Sequence, residues 1–303
     1  MTYNVRYFGH PVRGVFSTRR GIARIARTIA AMDPLPDVVC LQEVETRSLR
    51  ARRTHAVEEN ATQLDALTRS LDHALEAYGK GARFDAYYFS AHDYRLTSST
   101  SIYTTGLAVL ARSDLSVLEH NAHAPHDITH RSRLVGLKQT RICGHVAFES
   151  RSGDRLDVFN THLSLPSFLE KRFWTEPHRM GFGPNQLREA HELARFIHRT
   201  RKSDHYIVAG DFNSLPGSPV DEFLRTENDL VDAYQAVRDT HPARARAFPT
   251  AGFMSLRMHI DHLYASRSID WLDMDGTHAF GSPGDFDGLS DHVPLIARLR
   301  LRA

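Results

Sequence analysis

Two cysteines in 303 residues leave no room for a disulfide framework or a cysteine-rich metal cluster. Both, Cys40 and Cys143, fall within apolar strand-like runs and read as buried thiols. No apolar run is long enough to span a bilayer, and neither a short-period repeat nor a low-complexity tract is present. A net charge of +2 is too near zero for bulk charge to imply a polyanionic partner. No signal-peptide pattern is visible. Only three residues precede Asn4, which should end a core strand, so the native chain is expected to begin further upstream. The compartment, cytoplasmic or exported, therefore stays open.

What is present fits a soluble globular chain, with 41% hydrophobic and 24% charged residues. The 19 histidines make its charge sensitive to mildly acidic pH. Residues 1–303 read as a single domain and a monomer, without a linker and without a stable protein partner. Two broadly similar halves each run strand, helix, strand. In the first, Thr2-Tyr3-Asn4-Val5 leads to a helix from about Ser17 to Met32, striped by Ile22, Ile25, Ala26 and Ile29 and stopped by Pro34 and Pro36. Asp37 to Leu41 reads as a buried strand. A second helix is expected from about His55 to Tyr78, on the stripe Val57, Ala61, Leu64, Leu67, Leu71 and Leu75.

Strand-like segments follow at Phe84 to Phe89, Gly106 to Ala111, Val117 to Glu119, Arg141 to Phe148 and Leu156 to Phe159. The second half has a helix from about Asn185 to Arg199 and a buried strand from Tyr206 to Ala209. It ends in strands at His259 to Ala265, Ile269 to Trp271 and Pro294 to Leu301. Buried strands flanked by helices, twice, predict two sheets packed face to face with helices outside. Irregular loops are expected at Ser90 to Thr105, Asn121 to Leu134 and Ser164 to Pro184, and long loops are often functional.

Carboxylates, amides and imidazoles cluster at the ends of the strand-like runs. The clusters are Asn4, Gln42-Glu43, Asn160-Thr161-His162-Leu163, Gly210-Asp211-Phe212-Asn213, Ile260-Asp261-His262 and Ser290-Asp291-His292. Phosphate-ester hydrolysis needs a hard cation, an oriented water and donors for the developing charge. Glu43 suits a Mg²⁺ ligand, and Asp291 is a second candidate. Asp211 can orient and deprotonate the water, with Asn213 on the same strand face if the extension continues. His162 and His292 can donate to phosphorus oxygens. Asp261 is the candidate partner of His292, although the adjacent His262 points oppositely and competes for the role.

As a set, these motifs, together with Thr105-Gly106-Leu107-Ala108-Val109 and Ser290-Asp291-His292-Val293-Pro294, resemble the endonuclease/exonuclease/phosphatase superfamily. The resemblance spans residues 2 to about 296. It implies a four-layer α/β/β/α sandwich of deoxyribonuclease-like type and metal-dependent phosphoester hydrolysis. It further implies Glu43 and Asp291 at the metal (Mg²⁺, or Mn²⁺ in its place), with Asn4 as the amide beside it. His162 and His292 look like the phosphate-contacting histidines, Asp211 and Asn213 like the water-orienting pair, and Asp261 like the acid behind the last histidine.

The substrate is not written in these motifs. A lipid headgroup or small-molecule phosphodiester is one expectation, DNA or RNA a second, and a silent binding module on this fold a third. Arg47, with Arg50, Arg52 and Arg53, could grip an anionic substrate or simply solvate a helix approach. Trp174, with Phe168, Phe173, His178 and Phe182, could stack a base, cover a small substrate, touch a bilayer or pack its own loop. His120, His123, His126 and His130 read as solvated loop residues without clear metal-ligand spacing.

Overall fold

The computed structural model describes residues 1–6, 18–45, 62–97, 100–130, 140–150, 152–166, 179–240, 248–253, 256–275, 278, 280–281 and 283–302. In chain order, the first half contains β1 Thr2–Asn4, α1 Thr18–Ala31, β2 Val38–Glu45, α2 Gln63–Ala77, β3 Phe84–Thr97, β4 Thr100–Arg112, β5 Ser116–His120, β6 His126–Asp127, β7 Ile142–Glu149 and β8 Arg155–His162. The second half contains α3 Pro184–Thr200, β9 Tyr206–Asp211, α4 Pro219–Glu222, β10 Leu230–Asp232, α5 Ala233–Thr240, β11 Ala251–Phe253, β12 Leu256–Met258, β13 Asp261–Ser266, β14 Ile269–Met274 and β15 Ala297–Leu301. A wide helical turn, Phe223–Glu227, continues α4.

One sheet orders its strands β1-β2-β4-β3, and the other β10-β13-β9-β8-β7-β5, with β6 also on β7. Strand alternation explains the layers, because successive side chains leave opposite faces. In β2, Val39 and Leu41 join α1 and α2 in one core, whereas Cys40 faces the second sheet. In β9, Ile207 and Ala209 face the first sheet, whereas Tyr206 and Val208 pack under α3. The result is helix, sheet, sheet, helix. Both free cysteines are buried, Cys40 between the sheets and Cys143 under α3.

The helices form for visible local reasons. Thr62 caps α2, and Asp65 returns the bond to the Thr62 backbone, a reciprocal pairing that satisfies two otherwise orphaned donors. Pro184 opens α3, where its missing N–H costs nothing. Expected residues 55–61 of the second helix lie outside the described residues. The expected loop Ser90 to Thr105 is instead largely the continuation of β3 and β4, a paired hairpin whose register shifts at several points. The short elements α4, α5, β10, β11 and β12 carry too few residues for periodicity to reveal.

The sheets are locked in one relative position by a buried polar chain. Asn160 of β8 donates its amide to Leu41 O and Ala108 O of the opposite sheet, both at 3.0 Å. Gln42 donates to Asn160 Oδ1 at 2.8 Å and to Thr2 Oγ1 at 3.0 Å. Buried amides are tolerated only when bonded, so this chain fits one register of sheet on sheet. Asn160→Ala is expected to cost about 3 kcal/mol, because it strands Gln42 and two carbonyls. A urea-unfolding loss below about 0.5 kcal/mol, the range of ordinary surface substitutions, would remove the clamp from the account.

Candidate active site

The two sheets deliver their polar residues to the same edge. β1 runs parallel to β2 with Asn4 opposite Gln42, and β8 runs parallel to β9 with His162 opposite Asp211. β13 runs antiparallel to β9, so its first residue, Asp261, stands opposite Asp211. Asp211, Asp261 and His162 fall in the same alternation phase as Ala209, Leu263 and Val158. Their side chains therefore leave the sheet towards the interior of the sandwich.

Glu43 is aimed by backbone distortion. The β2–β4 register shifts between Leu41 and Val44, and Glu43 takes a left-handed φ of 56°. A non-glycine residue in that region is strained, and such strain collects at functional sites. Burial, and then the nearby Asp291 carboxylate, raise the Glu43 pKa. Asn4 Nδ2 stands 3.3 Å from Glu43 Oε1 and 2.9 Å from Asp211 Oδ2, tying the two sheets' carboxylates to one amide. Asn4 itself is held by Ser290, whose hydroxyl donates to Asn4 O at 2.9 Å.

Asp211 is the hub. Its Oδ2 lies 3.4 Å from His162 Nε2 and 3.8 Å from His292 Nε2, and its Oδ1 accepts the Asn213 N–H at 2.9 Å. Burial, and then the charge of Asp261, push its carboxyl well above the ordinary range, against the pull of His292 and Asn4. Asn213 reaches the site by a route other than strand alternation. β9 ends at Asp211, and Asn213 turns back with φ 47° under the Asp211 carboxylate bond. That is an Asx-type turn, which Asp and Asn favour. Asn213 Nδ2 then donates to Leu163 O at 3.0 Å and lies 3.3 Å from His162 Nε2.

The two histidines differ in charge. His292 Nδ1 is 2.8 Å from Asp261 Oδ2. Burial opposes its charge, but Asp261 and then Asp211 outweigh burial and raise its pKa well above the usual value. His162 lacks such a partner. Burial, then Arg141 and His292, hold it neutral far below its usual pKa. One imidazolium and one neutral imidazole thus flank one carboxylate, a pattern that separates acid and base roles. Of the two neighbours Asp261 and His262, it is Asp261 that stands behind His292. His262 leaves the opposite face, 3.1 Å from Asp232 and 2.8 Å from Ser214 O.

Ligand atoms of Asp211, Asp261 and His292 lie within 4.8 Å of one another, yet the positive imidazolium disfavours a cation among them. Glu43 and Asp291, the pair expected from the sequence, offer a cation two carboxylates. They repel each other, and a cationic group, the Arg6 guanidinium, already stands 2.6 Å from Asp291. Asp261 Oδ1 is buried without a hydrogen-bond partner among the described residues. A second cluster, Glu119, His145 and Asp157, is already neutralised by Arg155 and Lys202 and reads as structural.

Arg47, Arg50, Arg52, Arg53, Phe168, Phe173, Trp174 and His178 lie outside the described residues. Phe182 is exposed. Among the described residues, no cation-binding cluster includes His120, His123, His126 or His130, and His126 stacks on Phe196. Sequence reasoning assigned no role to Gln42, Asn160, Ser290 or Gln186. The first three stood inside quoted motifs. Gln186, which donates to Asn213 O at 2.7 Å, had no local signal.

A family model for the endonuclease/exonuclease/phosphatase family matches residues 1–292. The chain belongs to this family. Its members are phosphoesterases and nucleases. Among solved structures, an endonuclease/exonuclease/phosphatase from Bacteroides vulgatus is similar at 19% identity, with a TM-score of 0.64, covering 99% of this chain and 97% of that one. The human Nocturnin catalytic domain with bound sulfate is similar at 18% identity, with a TM-score of 0.62, covering 99% and 91%. ANGEL2, a 2′,3′-cyclic phosphatase in complex with adenosine-2′,3′-vanadate, is similar at 18% identity, with a TM-score of 0.64, covering 100% and 95%. These likenesses establish the shared fold. No curated protein matches the sequence.

Two tests follow from the family geometry. Gly210→Ala would put a Cβ 2.1 Å from Thr161 O and force β8 from β9 where His162 faces Asp211. Turnover should fall about 100-fold, the usual cost of an ångström-scale misplacement; an unchanged kcat would contradict the geometry. Asp261→Asn should also lower kcat about 100-fold. His262→Ala should instead lower the unfolding midpoint while the folded fraction keeps its kcat. A reversed ranking would reinstate His262 as the acting residue.

Proposed function

We propose that this phosphoesterase hydrolyses phosphodiesters of small molecules or lipid headgroups with Mg²⁺, or Mn²⁺ in its place. The observation that supports it most is the convergence of Asp211 with one neutral and one charged histidine beside the Glu43–Asp291 pair. Asp211, with its raised pKa, takes a proton from a water that Asn213 helps orient. His292, held charged by Asp261, donates to a nonbridging oxygen as charge develops there. His162, held neutral, stands beside the same phosphate and does not repel the cation. A divalent cation held by Glu43 and Asp291, with Asn4 orienting Glu43, would neutralise the phosphate and leaving oxygens.

The near-zero net charge favours a small or lipid substrate over a nucleic acid. Similarity to a 2′,3′-cyclic phosphatase and to a mannosyl-6-phosphatase from Bacteroides thetaiotaomicron supports the phosphoester class without choosing within it.

The test compares wild type with Asp211→Ala on a chromogenic phosphodiester and on supercoiled plasmid. Chelation should abolish turnover and Mg²⁺ restore it. Asp211→Ala should lower kcat roughly 10²–10⁴-fold. Equal rates in the mutant would defeat the proposed mechanism. Nicking of plasmid by wild type alone, with steep salt dependence, would move the substrate to nucleic acid. Metal-dependent turnover on either substrate excludes a silent binding module.

A further inference from the structure

The turn that carries Asn213 is held from behind by a residue of another layer. Gln186 lies in the first turn of α3, and its side chain is fully buried. Its Oε1 accepts the backbone N–H groups of Gly181 at 3.2 Å and Gly183 at 3.1 Å. Its Nε2 donates to Asn213 O at 2.7 Å. Two further bonds join the same stretches of chain. Leu215 N donates to Met180 O at 3.2 Å, and Val220 N donates to Gly181 O at 3.4 Å. The two stretches are in close contact, since Gly181 takes φ 89° and a Cβ there would lie 2.2 Å from Ser218 Oγ.

We propose that Gln186 is a positioning residue, which fixes the Asn213 turn and through it the Asn213 side chain beside His162. The inference rests on the proposed role of Asn213 in orienting the attacking water. Capping α3 asks of Gln186 only an acceptor, and a glutamate at this third helical position would supply one. The amide adds a donor, and that donor goes to Asn213 O. The helix therefore accounts for half of the side chain, and the turn accounts for the other half. Asn213 needs the support. Its left-handed φ of 47° is costly for a residue other than glycine, and such a conformation persists only where its surroundings over-determine it. Its N–H is tied to Asp211 Oδ1 at 2.9 Å and its Nδ2 to Leu163 O at 3.0 Å. Gln186 ties the carbonyl, so that all three polar groups of the residue are held. Without Gln186, that buried bond is lost and the peptide after Asn213 is freer to rotate. Asn213 Nδ2 stands 3.3 Å from His162 Nε2, where an ångström-scale shift is felt in turnover.

The experiment measures kcat and KM for a chromogenic phosphodiester in the full chain as wild type, Gln186→Met, Asn213→Ala and the double variant. Amide hydrogen exchange across residues 210–215 is followed in wild type and Gln186→Met. Gln186→Met should lower kcat about 100-fold, the usual cost of an ångström-scale misplacement, with little change in KM. In the Asn213→Ala background the same substitution should cost nothing further, because residues that act as a unit are not additive. Exchange across the turn should quicken. Gln186→Glu serves if the methionine variant does not fold. It keeps the acceptor for both glycine N–H groups, and its kcat relative to wild type should fall as pH rises, because an ionised carboxylate cannot donate. A role confined to helix capping would leave the kcat of the folded fraction unchanged in the variant tested and would overturn the inference. An equal loss of kcat with and without Asn213 would overturn it too. If Asn213→Ala proved fully active, the proposed role of Asn213 would fall and exchange alone would decide: quickened exchange in Gln186→Met sustains the positioning, and unchanged exchange refutes it.

Discussion

The buried amide chain between the sheets is the constraint on which the site depends. Most contacts in the sandwich interior are apolar, and apolar contacts tolerate sliding because burial has little direction. Asn160 and Gln42 do not tolerate it. Their donors reach backbone oxygens and a hydroxyl of fixed position, and a shifted register would leave them buried and unpaired. With that register set, β1 and β2 bring Asn4 and Glu43 against Asp211 and His162, which arrive on β8 and β9 from the other sheet. No single element contains the site. It exists only while the two sheets hold one alignment.

Charge is distributed within that alignment by neighbours more than by residue type. His162 and His292 are the same side chain at comparable burial, yet one is held neutral and the other charged. Asp261 behind His292 Nδ1 makes the difference, while His162 meets Asp211 at a longer distance and faces Arg141. Asp211 then lies between two donors of different charge. Its own carboxyl is pushed upward by burial and by Asp261, towards the pH range in which a base is useful.

Much of this was legible before any coordinates. Strand alternation and helical stripes yielded the layers, because Val39, Leu41 and Cys40 already differ in phase along the chain. The motif residues Asn4, Glu43, His162, Asp211, Asn213, Asp261, Asp291 and His292 do gather at one edge. What stayed hidden depended on distance in space. The direction of Asn213 is set by an Asx turn, which a rule of alternate residues does not contain. Which of Asp261 and His262 faces the sandwich interior required the phase of β13 against β9, which pairing fixes and sequence does not state. Gln186 carries no local sign of its bond to Asn213, because the two come from different elements. The extension of β3 and β4 beyond Ser90 is a pairing decision too, made by each strand for the other.

Glu43, Asp211, Asp261 and Asp291 crowd one edge of the sandwich, and the compensation among them is incomplete. His292 answers Asp261, and Arg6 answers Asp291. Asp261 Oδ1 stays buried and unbonded, and Glu43 is raised by burial and by its acidic neighbour. Each of these conditions opposes folding, since buried or repelling charge costs free energy unless paired. Under the proposed function, a cation bound beside Glu43 would remove that cost. A ligand that binds the folded chain alone also stabilises it, by mass action. On that proposal, stability and catalytic readiness would be coupled through the same carboxylates. The bonds around Asn160 hold the two sheets in the alignment that keeps these carboxylates together.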